Sequence, residues 1–201
     1  MEGNDKSNIT IGLPKPNAAI FWAPAGTTLP TSATEALDEN AFACLGYATS
    51  DGVTVSTAEE GDDIEAWGPE TVMHSQTAYR KTVTFNLLET ARISVLKFLY
   101  GDENVTEEAD GSVTIDDTGV ILPRGVLVID TLQNNGAATP RYKRQIFGDA
   151  QFIDRSGDHV YNNSDPLAFP VVLNAYKFVP AEDENPTYVR TYLSAGGSIS
   201  G

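Results

Sequence analysis

The sequence has little of what catalysis, disulfide bonding and metal binding require. Its 201 residues include one cysteine, Cys44, and two histidines, His74 and His159, both in polar stretches typical of exposed loops. A single cysteine cannot form an intramolecular disulfide, so nothing points to an oxidising compartment. No zinc spacing, nucleophile elbow, P-loop or dinucleotide-binding glycine motif occurs. We therefore predict no catalytic, cofactor-binding or metal-binding residues, no cofactor and no enzymatic activity.

Positive charge is scarce as well. The chain has 13 Lys and Arg residues against 28 Asp and Glu residues, which gives a formal net charge of −15. Such an acidic protein repels phosphate backbones, so we expect no binding of nucleic acid through charge neutralisation. The acids concentrate at 59–70 and 102–117, and such blocks predict solvated loops. The stretch at 102–117 lacks the alternating ligands of a calcium loop. The one basic cluster, Arg141 to Arg144, is predicted to pair with acidic loops of its own chain or of a neighbour.

Long hydrophobic runs are missing, although the overall hydrophobic content of 41% is enough for a folded core. No run approaches the roughly 18 apolar residues that a membrane helix needs. The first ten residues lack the basic and apolar regions of a secretory signal. We expect a soluble protein that is made in a cytoplasm and does not bind membranes.

The strongest pattern in the chain is a strand followed by a helix between Tyr79 and Gly101. Apolar and polar residues first alternate, as in a half-buried strand. The apolar positions are Val83, Phe85 and Leu87, and the polar positions are Thr82, Thr84 and Asn86. The period then changes to that of a helix, with Leu88, Ala91, Val95 and Leu99 on one stripe. Asn86 and Glu89 resemble a capping box at its start, and Gly101 suits its end.

Further strands are predicted on both sides of this unit. They comprise a short strand at 18–22 that Pro24 ends, an edge strand around Val113 and Ile115, the apolar run 125–129, a strand at 142–152, a last clear strand at 169–176 and a candidate strand at 188–192. The run 125–129 is apolar throughout, so we expect it to be buried on both faces. In the strand at 142–152 one face is predicted to carry Tyr142, Arg144, Ile146, Gly148, Ala150 and Phe152. A short helix is expected between Leu29 and Gly46, and Asp51-Gly52 favours a hairpin turn.

The length of the chain fits one domain with extended arms. We predict an N-terminal arm at residues 1–17, a domain at 18–179 and a C-terminal arm at 180–201. Within the domain, residues 56–76 are predicted to form a long loop anchored by Trp67, and loops of such length tend to be functional or disordered. About seven strands and one helix predict an α+β, mainly β domain.

Part of the sequence resembles a known family. The relevant positions are Ala36-Leu37, Phe42, Leu45-Gly46-Tyr47, Ser50-Asp51-Gly52-Val53, Ile64-Glu65-Ala66-Trp67-Gly68 and the unit from Lys81 to Gly101. In this order and spacing they resemble the major tail proteins of long-tailed bacteriophages of the siphophage type, most closely those that infect actinobacteria. The resemblance implies a β-sandwich or partly closed barrel with one flanking helix, a long inter-subunit loop and extended terminal arms.

The same resemblance implies a structural virion protein of the phage tail, assembled in the bacterial cytoplasm. Such subunits form hexameric rings that stack into a tube around a tape-measure protein, with tail tip or baseplate and tail terminator proteins at the two ends. Double-stranded DNA passes through the lumen during genome ejection without specific binding, which suits an acidic subunit. The arms and the 56–76 loop are expected to bridge successive rings and to become ordered on assembly. Thr82, Thr84 and Asn86 are expected to face a lumen or a neighbouring subunit.

Other functions remain open on the sequence alone. A tail terminator or capsid decoration protein would share the acidic, motif-free character. A carbohydrate-binding β-sandwich would use Trp22, Trp67 and the tyrosines as stacking platforms. A hydrolase would need a catalytic site that no motif in the sequence marks.

Overall fold

The computed structural model describes residues 3–4, 9–134, 140–154, 159–182 and 184–195. These residues form eleven β-strands and one α-helix. The elements are β1 (Ile11–Pro14), β2 (Ile20–Pro24), β3 (Ala43–Cys44), β4 (Ala48–Glu65), β5 (Thr71–Leu87), α1 (Ile93–Tyr100), β6 (Val105–Glu107), β7 (Val113–Ile115), β8 (Gly125–Asn134), β9 (Arg141–Asp154), β10 (Phe169–Ala175) and β11 (Arg190–Leu193). The ends of the two predicted arms, residues 1–2, 5–8 and 196–201, lie outside the described residues.

Nine of the strands form one antiparallel sheet, and seven of these follow one another in the order β3-β2-β8-β9-β10-β5-β4. β1 pairs with β8 beyond the end of β2, and β11 pairs with β9 beyond the end of β10. β6 and β7 form a separate two-stranded ribbon. The predicted mainly β fold with one flanking helix is confirmed, and the sheet is open because β3 and β4 are its two edges.

The strand directions place several segments at one end of the sheet, which we call the hairpin end. The turn between β4 and β5 lies there. The pairings of β5 with β10, β10 with β9 and β9 with β8 show which ends of these strands lie at the same end of the sheet. At this end β9 begins at Arg141, β8 finishes at Asn134 and β1 begins at Ile11. β4 runs towards the hairpin end, whereas β1 runs away from it.

The main core lies between one face of the sheet and α1. Val83, Phe85 and Leu87 are at most 2% exposed, as their alternation predicted, while Thr84 between them is exposed. α1 contributes Val95, Leu96, Phe98 and Leu99, all buried. The ring of Phe98 packs edge-on against Trp22 and Phe152, with ring centroids 5.0 and 5.6 Å apart.

The predicted start of the helix is wrong. α1 begins at Ile93, Arg92 holds the N-cap position without a side-chain cap bond, and Asn86 lies within β5. The Glu89 carboxylate accepts hydrogen bonds from the Tyr47 backbone N–H at 3.0 Å and from Arg92 at 2.6 Å instead. Pairing with β10 holds Asn86 in the sheet, so the local capping pattern has no helix to cap. The helix does end at Gly101, whose φ of +93° suits glycine.

A second, smaller core covers the opposite face of β2, β8 and β9. Its buried members are Ala23, Phe42, Val126, Val128 and Ile146. The run 125–129 is therefore buried on both faces, as predicted. The cover is an irregular segment that includes Leu29, Leu37 and Phe42, so the helix expected between Leu29 and Gly46 does not form. Bends and turns bring its apolar side chains to the sheet without helical spacing, which the helix prediction assumed.

Two expectations for β4 and β5 also need correction. Asp51-Gly52 forms an irregularity inside β4, where the register shifts between Ala48 and Val53, and makes no hairpin turn. Residues 56–65 and 71–76 belong to the two paired strands, and 66–70 form the turn between them, so the predicted long loop at 56–76 is wrong. Hydrogen bonds between backbone groups hold these strands together, and none of their side chains is buried. The sequence therefore shows no alternation of apolar and polar residues that would predict them.

The single face predicted for residues 142–152 is interrupted. Ile146 packs into the smaller core, whereas Phe147 and Phe152 pack into the main core. The register between β8 and β9 shifts beside Gly148, against whose α-carbon the Phe178 ring packs. An irregularity of this kind moves every following side chain to the other face.

The terminal segments are tied to the sheet by short strands. All four residues of β1 are exposed, and β1 is held by its ladder with β8. The candidate strand at 188–192 is confirmed as β11 at Arg190–Leu193. β7 at Val113–Ile115 and β10 at Phe169–Ala175 also agree with the sequence prediction.

Candidate assembly surfaces

β4 and β5 extend well past the core as a projecting hairpin, which we define as residues 56–80. Their ladder continues from Ser56 paired with Thr82 to Glu65 paired with Thr71. No residue of the projecting hairpin is buried. At about 3.3 Å per residue, the strand from Ser56 to Glu65 is roughly 30 Å long. A two-stranded ribbon of this kind is only marginally stable alone, so contact with a partner surface would stabilise it.

The projecting hairpin combines apolar and acidic side chains. Trp67 at the turn is fully exposed, and Ile64 and Met73, 44% and 55% exposed, lie opposite each other on the two strands. The acidic members are Glu59, Glu60, Asp62, Asp63, Glu65 and Glu70. Between Ala58 and Ala78 the sequence contains no lysine or arginine. Exposed apolar groups within a polar rim are typical of protein interaction sites.

A second surface is the uncovered face of β4, β5 and β10, which we call the open face. Cross-strand rows place Thr84 between Thr54 and Val172, and Thr82 between Ser56 and Asn174. Thr54, Ser56 and Thr84 are exposed. The smaller core lies over β2, β8 and β9 and so leaves these rows without an apolar cover. The side chains of these two rows are short and uncharged, and the next residue on this face of β5 is the exposed Arg80.

The basic cluster at 141–144 is divided between surface and core. Arg144 is completely buried, and its guanidinium donates to both carboxylate oxygens of Asp130 at 2.7 Å. It also donates to the backbone carbonyls of Ser32 and Glu35, at 3.1 and 2.9 Å. Lys15 approaches the same carboxylate at 3.1 Å. Arg144 thus pairs with an acid of its own chain, which was one of the two predicted options, although that acid lies on a strand and not in a loop. Its bonds to Ser32 and Glu35 also fix the segment that covers the smaller core.

Sequence reasoning missed this buried network. Arg144 lies two residues before Ile146 and therefore on the same face of β9, and Asp130 directly follows the apolar run of β8. This alternation was the available signal that both side chains are buried. Beside the network, Glu35 accepts hydrogen bonds from the Thr31 backbone N–H at 2.6 Å and from its hydroxyl at 3.0 Å. These bonds, the backbone one first, lower the pKa of Glu35 below its ordinary 4.5.

The histidines and the cysteine lie at separate places in the fold. His74 is on β5 in the projecting hairpin, exposed, with Nδ1 at 2.6 Å from an Asp63 carboxylate oxygen. His159 packs on the ring of Phe169 with 4.8 Å between ring centroids. Cys44 is half-buried in β3, where Sγ accepts the Gly46 N–H. Within the described residues, no group of three or more His, Cys, Asp or Glu side chains is arranged to hold a metal ion.

The sequence model of a family described as phage tail tube protein matches residues 2–177. The chain belongs to the phage tail tube protein family. The matched region contains β1 to β10, and therefore both the projecting hairpin and the open face. As a tail tube protein the chain is a structural component of the phage virion, which implies a non-enzymatic role. A comparison with curated proteins finds no match.

The family assignment confirms the resemblance to phage major tail proteins and the mainly β tail tube fold. Tail tube proteins assemble with copies of themselves and with other tail components, so surfaces that a monomer leaves open have a natural use. In the described part of this tail tube protein, no helix is long and apolar enough to cross a membrane.

Proposed function

We propose that this tail tube protein assembles into hexameric rings that stack into a hollow tube, through which the phage genome is delivered. The observation that carries the proposal is the projecting hairpin, a ribbon without a buried side chain that ends in a fully exposed tryptophan. A monomer gains nothing from exposing Trp67, whereas a neighbouring subunit can bury it. The tail is of the siphophage type, closest to those of phages that infect actinobacteria.

The open face is proposed to line the lumen. Its threonine, serine and asparagine side chains are neutral, and the chain as a whole carries a net charge of −15. A wall made mainly of short neutral side chains, with Arg80 as the basic residue that follows Thr82 on the same face of β5, lets double-stranded DNA slide, because repulsion by the acidic chain prevents it from adhering. The tape-measure protein fills the same lumen until the genome passes.

The domain organisation follows from the same proposal. Residues 18–179 form the tube domain, and residues 1–17 and 180–201 are arms that contact neighbouring subunits. The tail tip or baseplate protein starts the tube and the tail terminator protein ends it, with assembly in the host cytoplasm. Ring closure by identical subunits requires a heterologous contact, in which two different surfaces of the same chain meet.

The projecting hairpin is the part of the sheet that opens most easily before assembly. Its hydrogen bonds are exposed to water along roughly 30 Å of ribbon, so amide exchange there should be faster than in β8 or β9. Assembly should slow exchange in residues 56–76 at least about tenfold. Equal and full protection of these residues in free and assembled protein would contradict this role.

Negative-stain electron microscopy of concentrated purified protein tests the proposed function. We expect hollow tubes of uniform width, or six-fold rings, from the natural sequence. Trp67→Ala should abolish them without changing the circular dichroism spectrum, while Trp67→Phe should retain them. A protein that stays monomeric at every concentration and binds glycans would overturn the proposal in favour of a carbohydrate-binding module.

A further inference from the structure

Two surfaces of complementary chemistry lie at the hairpin end of the sheet, on its opposite sides. One is the projecting hairpin, with its exposed apolar side chains and six acids. The other, which we call the β1 corner, is formed by residues 9–15 and the start of β9. Because the width of the sheet separates these two surfaces within one chain, they can meet only between different copies of the chain.

The β1 corner is apolar and basic. Ile9, Ile11 and Leu13 are 73%, 67% and 42% exposed, which is unusual for three apolar residues so close in sequence. Arg141 and Lys143 lie two strands away on β9 and on the opposite face of the sheet from Ile11 and Leu13, because they pair through Gln133 and Thr131 with Gly12 and Pro14. The β1 corner thus carries its apolar side chains on one face and its basic side chains on the other. The carboxylate of Asp130, which could oppose these bases, is buried beneath Arg144 and Lys15. An acidic, apolar partner suits this corner.

The geometry of the strands supports a side-by-side contact. When identical copies stand next to one another in the same orientation, the β4 edge of one copy faces the β1–β2 side of the next. Because β4 runs towards the hairpin end and β1 runs away from it, the two strands would meet antiparallel, like every other pair in the sheet. Both strands have polar backbone groups along their outer edges, and strand addition at such edges is a common mode of recognition.

We propose that the projecting hairpin of one copy docks on the β1 corner of the next copy around the ring. On one face of the joined strands, the apolar residues Ile64, Trp67 and Met73 contact Ile11 and Leu13. On the other face, the acids that alternate with Ile64 along β4, Asp63 and Glu65, lie against Arg141 and Lys143. This inference rests on the proposed ring and names the two surfaces that close it. It differs from the expectation that residues 56–76 bridge successive rings.

Cross-linking separates the two geometries. A Cys44→Ser chain that carries Ile64→Cys and Ile11→Cys is assembled, treated with a short bismaleimide and separated by denaturing electrophoresis. Contacts around a ring give a ladder that stops at the size of the ring, whereas contacts between rings give a ladder that continues along the tube. A ladder that stops at six copies supports the inference. A ladder that passes ring size, or tubes without any cross-link, overturns it.

Charge reversal provides a second, independent test. Asp63→Lys with Glu65→Lys should raise the critical concentration for assembly at least about tenfold, and so should Arg141→Glu with Lys143→Glu. Each subunit uses its hairpin on one neighbour and its β1 corner on the other, so a mixture of the two double variants restores the charge match at only one of the two contacts. Restored assembly is therefore tested in a single chain that carries all four changes. That chain should assemble at close to the natural concentration.

The matched control is Glu107→Lys with Glu108→Lys, which makes the same charge change at exposed positions of β6 and the following turn and should leave assembly unchanged. Reversals that have no effect, or a fourfold variant no better than either pair, would overturn the inference. If the natural chain itself forms neither rings nor tubes, the proposed function fails, which is a distinct result.

Discussion

Replacing Arg144 with methionine is predicted to destabilise the fold by about 3–5 kcal/mol. The substitution removes two bonds to the Asp130 carboxylate and two to the carbonyls of Ser32 and Glu35. It also leaves Asp130, only 2% exposed, with Lys15 at 3.1 Å as the cation that the structure places beside it. A buried carboxylate that loses its main partner accounts for most of the cost.

The size of the effect follows from the length of the chain. For domains of about 150–250 residues, each kcal/mol lowers the melting temperature by about 2–4 °C, so we expect a decrease of about 6–20 °C. Urea unfolding at low protein concentration, followed by tryptophan fluorescence, measures the free energy without interference from assembly. Arg141→Met is the control, because Arg141 is exposed and should change stability by less than about 0.5 kcal/mol.

A double variant isolates the charge. Asp130→Leu with Arg144→Met removes both ions, and replacement of a whole buried pair by apolar residues is often tolerated. We therefore expect the double variant to be more stable than Arg144→Met alone. The reasoning is refuted if Arg144→Met costs less than about 1 kcal/mol, or if the double variant is the less stable of the two.

Three further predictions concern single positions. Thr84→Lys should leave monomer stability within about 0.5 kcal/mol but impair tube assembly or DNA passage; an unfolded monomer in circular dichroism would show that its face is assigned wrongly. Glu35→Gln should lower the melting temperature at pH 7, and the difference should shrink as the pH falls from 4.5 through the lowered pKa of the folded chain, because a lowered pKa stabilises only while the carboxylate is ionised; a difference that stays constant from pH 7 to pH 2 would contradict this. Gly125→Ala should cost about 1–3 kcal/mol in urea unfolding, since a methyl group there would overlap both the Trp22 ring and the backbone carbonyl oxygen of Ala23; an unchanged midpoint would contradict this.

The sequence correctly predicted those parts of the fold in which burial produces a regular pattern of apolar residues. Val83, Phe85 and Leu87 alternate because one face of β5 meets the main core, and 125–129 is apolar because both faces of β8 are covered. Where burial is absent, prediction failed. The strands of the projecting hairpin bury no side chain, so their sequence does not differ from that of a polar loop.

Other failures arose where tertiary contacts override local patterns. Asn86 and Glu89 have the spacing of a capping box, yet the ladder with β10 holds Asn86 and the Tyr47 backbone engages Glu89. The irregularity beside Gly148 reverses the faces of β9, which no periodicity reveals. The candidate assembly surfaces were partly foreseen, since Trp67 and the threonines of β5 were singled out, whereas the β1 corner depends on a pairing distant in sequence.

Electron cryomicroscopy of the assembled protein tests the central claim most directly. The account predicts a hollow tube of stacked six-fold rings, with Thr84 and its neighbours on the open face directed into the lumen and Trp67 buried against another copy. A solid filament, a tube whose lumen is lined by α1, or a protein that remains monomeric at high concentration would contradict it.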